Sequence, residues 1–335
     1  MPTSYVAPAN NGTTGTYDGS TAMGGLNYAD EYQRALEQNF PYVLNYGALY
    51  ATPNNNKYRW VNSKTIEIPS IQTTGRIDAD RDTIAFAQRN YSNSWVSKTL
   101  ENQRKWSTLV HPRDIDETNM VATIGNITQV FNEEHKFPEM DAYCISKIYA
   151  DWTSMKNPDN AQTHVANTTV LTTANILSVF DTLMLNMDNG RVPANGRILY
   201  APFEVLQILK DAEKISRSMD ITSGPNAIDR RVNRLDQVQV IGVPSTLMKT
   251  LYDFSSDYAV DADAQQINMF LVHPMAVITP VSYTFSRLDA PSAMSEGKYV
   301  YYEESFEDVF VLENKSNAIQ FNVSAGSGTS TSTGQ

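Results

Sequence analysis

An apolar stripe running from Met120 to Trp152 limits what this chain can fold into more than any other feature of its sequence. Apolar residues recur along it every three or four positions, first as Met120, Ile124, Ile127 and Phe131, and then as Met140, Cys144, Ile148 and Trp152. This spacing predicts helix with one buried face across residues 115–153. Pro138 lies inside the stripe, and because it lacks an N–H and its ring clashes with the preceding turn, the helix must end or kink near Lys136. The sequence therefore predicts two helices or one long bent helix.

Residues 58–113, which precede the stripe, have no clean apolar face. The stretch KTIEIPSI predicts a strand in which Pro69 marks an edge or a bulge. The second leg, WVSKTLENQRKWSTLV, places charged residues on both faces of any strand. Because a lone two-stranded ribbon is only marginally stable in water, we expect a hairpin that is either poorly ordered or laid on another molecule.

The charge of this segment is opposite to that of the stripe. Residues 58–113 contain nine basic and five acidic residues, a balance of +4, whereas residues 114–160 contain three and nine, a balance of −6. The whole chain carries a formal charge of −11 and has a pI of about 4.9. A protein that gains its binding energy from phosphate neutralisation needs a basic face, so this balance excludes strong intrinsic affinity for nucleic acid.

The chain has 335 residues, and 41% of them are hydrophobic. This length and composition predict two or three lobes, each with its own apolar core. Cys144 is the single cysteine, which excludes disulfides within the chain and cysteine-rich zinc sites. The N-terminus lacks the basic and apolar runs of a signal peptide, and the longest apolar stretch is too short to span a bilayer. We therefore expect a protein of the reducing cytoplasm.

From residue 171 onward, helical and strand patterns alternate without a regular βαβ unit or an internal repeat. Helices are predicted for NILSVFDTLMLNMDN and FEVLQILKDAEK, and strands for RILYA, VQVIGV and INMFLV. Four further β segments close the chain, namely SYTFSRLD, KYVYYEESF, DVFVLE and AIQFNV. A short helix is predicted at 27–40, after a start rich in Gly and Thr. This mixture predicts the α+β class.

Glu134, His135 and Glu139 are the best candidates for chemistry, as a metal site of a hydrolase. Their spacing does not place two ligands on one helical face, and Pro138 interrupts the turn that would bring them together. We therefore favour solvated charges at a helix junction. His111, His164 and His273 are scattered, Cys144 lies on the apolar stripe, and no nucleotide-binding or nucleophile motif is present. The residues offer nothing that predicts an enzyme.

One stretch of the stripe, FPEMDAYCISKIYADW, resembles the "PE-x-DAY-x-x-SK" segment of tailed-bacteriophage major capsid proteins of the Hong Kong ninety-seven type. The matching residues here are Pro138, Glu139, Asp141, Ala142, Tyr143, Ser146 and Lys147. The stretches NILSVFDTLMLNMDNGRVPANGRILYAPFEVLQILK, INMFLVHPMAVITPVSYTFSRLDAPSA and GKYVYYEESFEDVFVLENKSNAIQFN resemble further parts of the same family in the same order. The similarity covers roughly residues 30 to 323.

The resemblance implies the capsid fold of that family, divided into an arm, an extended hairpin, a peripheral domain and an axial domain. The corresponding ranges are an N-terminal arm with a short helix (1–57), the extended hairpin or E-loop (58–113), the peripheral domain with its spine helix (114–170), the axial domain (171–285), strands returning to the peripheral domain (286–323) and a flexible tail (324–335). The implied function is a virion shell of pentamers and hexamers around double-stranded DNA, with no catalysis, cofactor or metal. A related alternative is an encapsulin-type bacterial compartment.

The resemblance also implies partners, the first of which is a second copy of the chain. In this family the hairpin lies over the peripheral domain of a neighbouring subunit, so we expect basic hairpin residues to meet acidic residues of a neighbour's spine helix. The basic set is Arg76, Arg81, Arg89, Lys98, Arg104 and Lys105, and the acidic set is Glu133, Glu134 and Glu139. A basic loop with Arg230, Arg231 and Arg234 is either solvated or a contact near a symmetry axis.

Other partners follow from the same resemblance and from two departures from it. The short arm predicts a separate scaffolding protein, and a portal and decoration proteins are further expected partners, with weak, non-specific contact to DNA. Between Gly75 and Ser94 the chain has arginines and no lysine, so a lysine cross-link from the hairpin tip is not expected.

Overall fold

The computed structural model describes residues 42–76, 89–118, 122–159, 161–212, 234–255 and 257–325. Outside these ranges lie the predicted helix at 27–40, most of the expected arm, Arg81, Arg230, Arg231 and most of the expected tail. The helices are α1 (Gly47–Tyr50), α2 (Pro112–Glu117), α3 (Ile124–Phe131), α4 (Phe137–Ser154), α5 (Ile176–Asn189) and α6 (Phe203–Asp211). Short 3-10 turns cover Pro53–Asn56, Ser245–Leu247, Pro274–Ala276 and Glu313–Ala318.

The strands belong to several sheets and confirm the predicted α+β class. They are β1 (Arg59–Trp60), β2 (Thr65–Thr73), β3 (Tyr91–Thr99), β4 (Gln103–Val110), β5 (Ile198–Pro202), β6 (Arg234–Leu235), β7 (Val238–Val243), β8 (Tyr252–Asp253), β9 (Ala259–Val260), β10 (Ile267–Val272), β11 (Val277–Ile278), β12 (Val281–Asp289), β13 (Tyr299–Glu307), β14 (Phe310–Val311) and β15 (Ile319–Val323). Within the described ranges, no helix has the length and apolar character needed to cross a membrane.

The long helix is continuous from residue 124 to residue 154, because α3 and α4 are joined by a π-helical turn, Asn132–Lys136. In this turn the N–H of Phe137 donates to the carbonyl of Asn132, five residues back. An ordinary α-helix would press the ring of Pro138 against the carbonyl four residues earlier, and a wider π turn displaces that carbonyl. Of the two arrangements that the sequence predicts, the single long helix is therefore the one formed.

The central sheet has the strand order β15-β10-β5-β7-β6, with β5 and β7 parallel and the other pairs antiparallel. Both of its faces are buried. On β5, Ile198 and Tyr200 pack into the core that contains α4, whereas Leu199 and Ala201 pack into the core formed with α5 and α6. The alternation of side chains along a strand thus joins two cores through one sheet.

The outer sheet, with the order β12-β13-β4, covers one side of the long helix. Trp106 on β4 stacks on Phe131 with ring centroids 3.9 Å apart. Lys136 Nζ donates to Glu303 Oε1 on β13 at 2.9 Å. One face of this sheet is therefore occupied by the chain's own helix.

The hairpin is formed by β2 and β3, with Thr65 opposite Thr99 at its base and Thr73 opposite Tyr91 at its far end. Pro69 lies beyond the short strand β1, where β2 is at the edge of its sheet, as the sequence predicts. A small core holds the base, formed by Ile66, Leu100, Ile278, Phe306 and Phe310. Beyond this core most of the hairpin is exposed.

The second leg predicted for the hairpin divides into two strands that belong to different sheets. Its first part, β3, pairs with β2, whereas its second part, β4, pairs with β13 in the outer sheet. Arg104 and Lys105 therefore lie on β4 and are not part of the hairpin. Glu101 and Asn102, between the two strands, turn the chain from one sheet into the other.

Candidate subunit interface

Asp141, the acidic residue of the motif that carries the resemblance, fastens the start of the described chain to the long helix. Its carboxylate accepts hydrogen bonds from the N–H groups of Asn45 at 2.8 Å and Tyr46 at 3.1 Å, and a further one from the Tyr42 hydroxyl. The residue is fully buried. Burial raises the pKa of Asp141, and the donated hydrogen bonds oppose this rise.

The other polar residues of the motif also have partners within the chain. Tyr143 donates through its hydroxyl to Asp308 Oδ1 at 2.8 Å, and the other oxygen of Asp308 accepts the N–H of Glu101 at 2.9 Å. Lys147 lies 3.7 Å from Asp151. Ser146 donates to the carbonyl of the preceding helical turn. The motif residues thus join the long helix to the connection between the hairpin and the outer sheet.

Arg104 and Glu139, predicted to meet between two subunits, form an ion pair inside one chain. A guanidinium nitrogen of Arg104 also donates to the carbonyl of Phe254 at 2.8 Å. Burial raises the pKa of Glu139, and the neighbouring guanidinium opposes this rise. A contact of either residue with a neighbouring subunit stays a prediction. Because β4 lies directly on the long helix, the two charges meet without a second copy.

The remaining acidic candidates lie on the π-helical turn. Glu133 and Glu134 are half-buried, and Glu133 accepts a hydrogen bond from Gln129 at 3.1 Å. His135 contacts Asp257 through Nδ1 at 2.9 Å. Since His135 and Glu139 contact different partners, the hydrolase-type metal group is not assembled here. Across the described ranges, no three His, Cys, Asp or Glu side chains are grouped to hold a metal ion.

The remaining basic candidates lie in different parts of the structure. Lys98 forms an ion pair with Glu313 at 3.1 Å, and the guanidinium of Arg89 lies 5.9 Å from the ring centroid of Tyr91. Arg76 is exposed and lies three residues beyond the end of β2. Lys105 is exposed on the outer face of the outer sheet, opposite Glu304. Arg234 begins β6. Their predicted contacts with a neighbouring subunit stay predictions.

The hairpin also presents apolar side chains that charge-based reasoning about the sequence missed. Trp95 is 43% exposed, Tyr91 59% and Ile71 70%, and the register of the hairpin places all three on one face. Arg59 lies over the ring of Trp95 at 4.3 Å and pairs with Glu67 at 2.9 Å. The odd numbering of the three apolar residues is the period-two signal that could have revealed this face.

The opposite face of the hairpin turns toward the chain's own body. Ser70 accepts a hydrogen bond from Asn314 at 3.1 Å, and the ion pair of Lys98 with Glu313 lies nearer the base. A groove of about 590 Å³ separates the two surfaces, with Ile68, Val96 and Leu312 among its lining residues. The face with Trp95 therefore points away from the body and is available to another molecule.

Comparison with known proteins gives matches at the level of structure. No protein-family model matches the sequence, and no curated protein matches it. The structure is similar to the mature capsid of bacteriophage PhiM1 (TM-score 0.63, 14% identity, 89% of this chain and 92% of that chain covered). It is also similar to the capsid of cyanophage P-SCSP1u (TM-score 0.61, 10% identity, 89% and 93% covered) and to that of an empty GTA particle (TM-score 0.57, 12% identity, 89% and 95% covered). These matches confirm the mixed α+β fold with a long helix and its similarity to phage capsid proteins.

Proposed function

We propose that this chain, which has the α+β fold of tailed-phage capsid proteins, is itself a major capsid protein. Copies of it assemble as pentamers and hexamers into the icosahedral shell of a virion, around double-stranded DNA and without catalysis. The observation that carries the proposal is the exposed hairpin. A ribbon with Trp95, Tyr91 and Ile71 in water is poorly stabilised by its own chain, and a neighbouring subunit would cover it.

The parts of the fold take the roles that the resemblance gives them. The long helix and the outer sheet form the peripheral domain, and the central sheet with α5 and α6 forms the axial domain around the five- and six-fold axes. The hairpin is the E-loop. Two separate cores on the faces of the central sheet, and the different sheets of β3 and β4, support this division.

Partners of the shell follow from the same proposal. The chain binds other copies of itself, a separate scaffolding protein during assembly, a portal and decoration proteins. Its net charge of −11 suits a container, because an acidic inner wall binds packaged DNA only weakly. The similar structures reported above are shells of phages and of a GTA particle, which favours a phage-type container over an encapsulin-type compartment.

The test is assembly of the chain co-expressed with the scaffolding protein of the same genome, followed by electron microscopy. Closed shells are the expected result. A variant with Ile71→Ser and Trp95→Ser should keep the melting temperature of the parent chain and fail to form shells. A protein that stays a small monomer with every scaffolding partner and at every salt concentration would refute the proposal.

A further inference from the structure

Two strands of the described chain have a long, open edge. β3 pairs with β2 on one side, and β12 pairs with β13 on one side. Each strand is nine residues long, and almost all of its side chains are exposed. In the part of the chain that the structure describes, no strand pairs with the other side of either. Exposed edges of this length are templates for pairing with another chain.

The other long edges in these two sheets carry features that block such pairing. The free side of β2 contains Pro69, which has no N–H to donate to a further strand. The free edge of β4 contains the adjacent cations Arg104 and Lys105. Charged residues and proline are the devices by which proteins protect open edges. Two edges are therefore protected against pairing.

The open edges of β3 and β12 lack this protection. The one charged side chain of β3, Lys98, lies near the hairpin base and is held by Glu313. The charged side chains of β12, Arg287 and Asp289, lie at its far end and pair with each other at 2.7 Å. The central part of each strand presents backbone and uncharged side chains.

The two strands also carry matching aromatic faces. Tyr283 and Phe285 lie on one face of β12, with ring centroids 6.3 Å apart and nearly parallel rings. Tyr91 and Trp95 likewise share one face of β3. Since aromatic residues on neighbouring strands stabilise each other when their faces agree, the two edges can join with all four rings on the same side.

We propose that β3 of one copy adds to the open edge of β12 in a second copy, so that the hairpin sheet and the outer sheet become one continuous sheet across two subunits. Backbone hydrogen bonds would supply the affinity, and the aromatic rings would fix the register. This contact presupposes the proposed shell and specifies how its hairpin is covered.

Pairing of unlike edges suits a closed assembly better than pairing of like edges. If β3 paired with β3, or β12 with β12, each contact would be two-fold symmetric. A contact between β3 and β12 leaves every copy with one edge to offer and one to receive. Such head-to-tail contacts generate rings when the rotation closes.

The experiment is disulfide trapping in assembled shells. Cys144 is buried, and burial raises the pKa of its thiol, so the native cysteine does not interfere. Chains with Ser92→Cys or Ser94→Cys on β3 are co-assembled with chains carrying Thr284→Cys or Ser286→Cys on β12, because these four residues lie on the face opposite the aromatic rings, and the shells are oxidised. Several positions are used because the register is part of the question. Ser178→Cys, at an exposed position of α5, is the matched control.

At least one mixture of a β3 variant with a β12 variant should give a disulfide dimer on a non-reducing gel, while each variant alone and each mixture with the control stay monomeric. The matching double variant should give a ladder of multimers. Dimers of a single variant at the same yield would overturn the pairing of unlike edges. Intact shells with no cross-link in any mixture would overturn the inference and leave the proposed function standing. A chain that forms neither shells nor dimers would refute both.

Discussion

The long helix and the hairpin are neighbours in the sequence, yet they bury their side chains to opposite extents. Trp152 on the helix is 1% exposed, donates through its indole N–H to the carbonyl of Ser316 at 3.1 Å and stacks on His164. Trp95 on the hairpin is 43% exposed and lies under the guanidinium of Arg59. The same residue type is part of the chain's own core in one region and is partly exposed at the surface in the other.

The charged residues of the long helix are, like Trp152, bonded within their own chain. On the helix, Glu139 pairs with Arg104, and Asp141 accepts hydrogen bonds from residues 42–46 of the same chain. These acidic groups stabilise the subunit and are not free to attract a neighbour's hairpin. In the proposed shell, the hairpin would therefore be covered mainly through its apolar face and its backbone edge.

The largest expected effect separates the two tryptophans. Trp152→Ala should lower the free energy of unfolding by about 3–5 kcal/mol, because it opens a cavity in the core and removes one of the two hydrogen bonds to the carbonyl of Ser316. Trp95→Ala should change it by no more than about 0.5 kcal/mol, as exposed substitutions do, and should block shell formation. Urea denaturation and electron microscopy measure the two outcomes. Equal losses of stability would break the comparison.

The next effect concerns the fastening of residues 42–46. Asp141→Ala should lower the free energy of unfolding by about 3 kcal/mol, because four donors lose a buried acceptor at once. Limited proteolysis should then cut earlier between residues 42 and 50. Glu133→Ala, at a half-buried position of the same helix, is the control and should behave as the parent chain does. Unchanged proteolysis in the Asp141 variant would show that this contact does not hold the segment.

Adjacent residues of β4 give a smaller, matched contrast. Arg104→Ala should destabilise the isolated subunit by about 1.5–3 kcal/mol, because it removes a charge-assisted hydrogen bond to a backbone carbonyl and leaves Glu139 without its cation. Lys105→Ala should lie within about 0.5 kcal/mol of the parent. Thermal unfolding of the monomer measures both. If the two variants were equally stable and both impaired assembly, the ion pair would belong to the interface after all.

The smallest effect is a pair of opposite pH dependences on β13. Burial raises the pKa of Glu307, so its ionised form disfavours the fold as pH rises through the folded pKa. Glu307→Gln should therefore stabilise the subunit at neutral pH, and the gain should vanish as pH falls below the ordinary glutamate pKa of about 4.3.

Glu304 on the same strand is the control with the opposite sign. Hydrogen bonds from Tyr302 and Gln103 lower its pKa, so its ionised form stabilises the fold above the unfolded pKa, and this stability is lost as pH falls through the folded pKa. Glu304→Gln should therefore reduce stability at neutral pH. Unfolding midpoints of both variants and the parent chain, recorded from pH 3 to pH 8, measure the two changes in stability. Two variants that shift in the same direction would contradict the assigned environments.

Much of the fold could be predicted from local patterns, because they act over a few residues. The apolar stripe of the long helix, the strands β5, β7, β10 and β12 to β15, and the position of Pro69 at an edge all follow from spacing and from backbone chemistry. The two-residue strands β6, β8, β9 and β11 were not predicted. Local patterns do not decide what happens to the helix at Pro138. A helix break and a π turn both relieve its clash, and contacts of the outer sheet with α3, the π turn and α4 favour the continuous helix.

The candidate interface was less predictable, because it depends on contacts between distant residues. The charges of Arg104 and Glu139 correctly indicated attraction, but no local pattern tells whether two residues meet within one chain or between two. The division between β3 and β4 depends on which strand each one pairs with, and the polar run across residues 95–110 is the same in either case. The face of Trp95 was overlooked because polar residues alternate with the apolar ones.

Hydrogen exchange in the isolated subunit and in the assembled shell tests most directly whether the hairpin depends on a second copy. Amides of α4, at residues 137–154, should be protected in both states. Amides of β3, at residues 91–99, should exchange rapidly wherever they face the open edge in the isolated subunit, and should become protected in the shell. If β3 were as strongly protected in the isolated subunit as in the shell, the hairpin would be stabilised by its own chain and the account would be wrong.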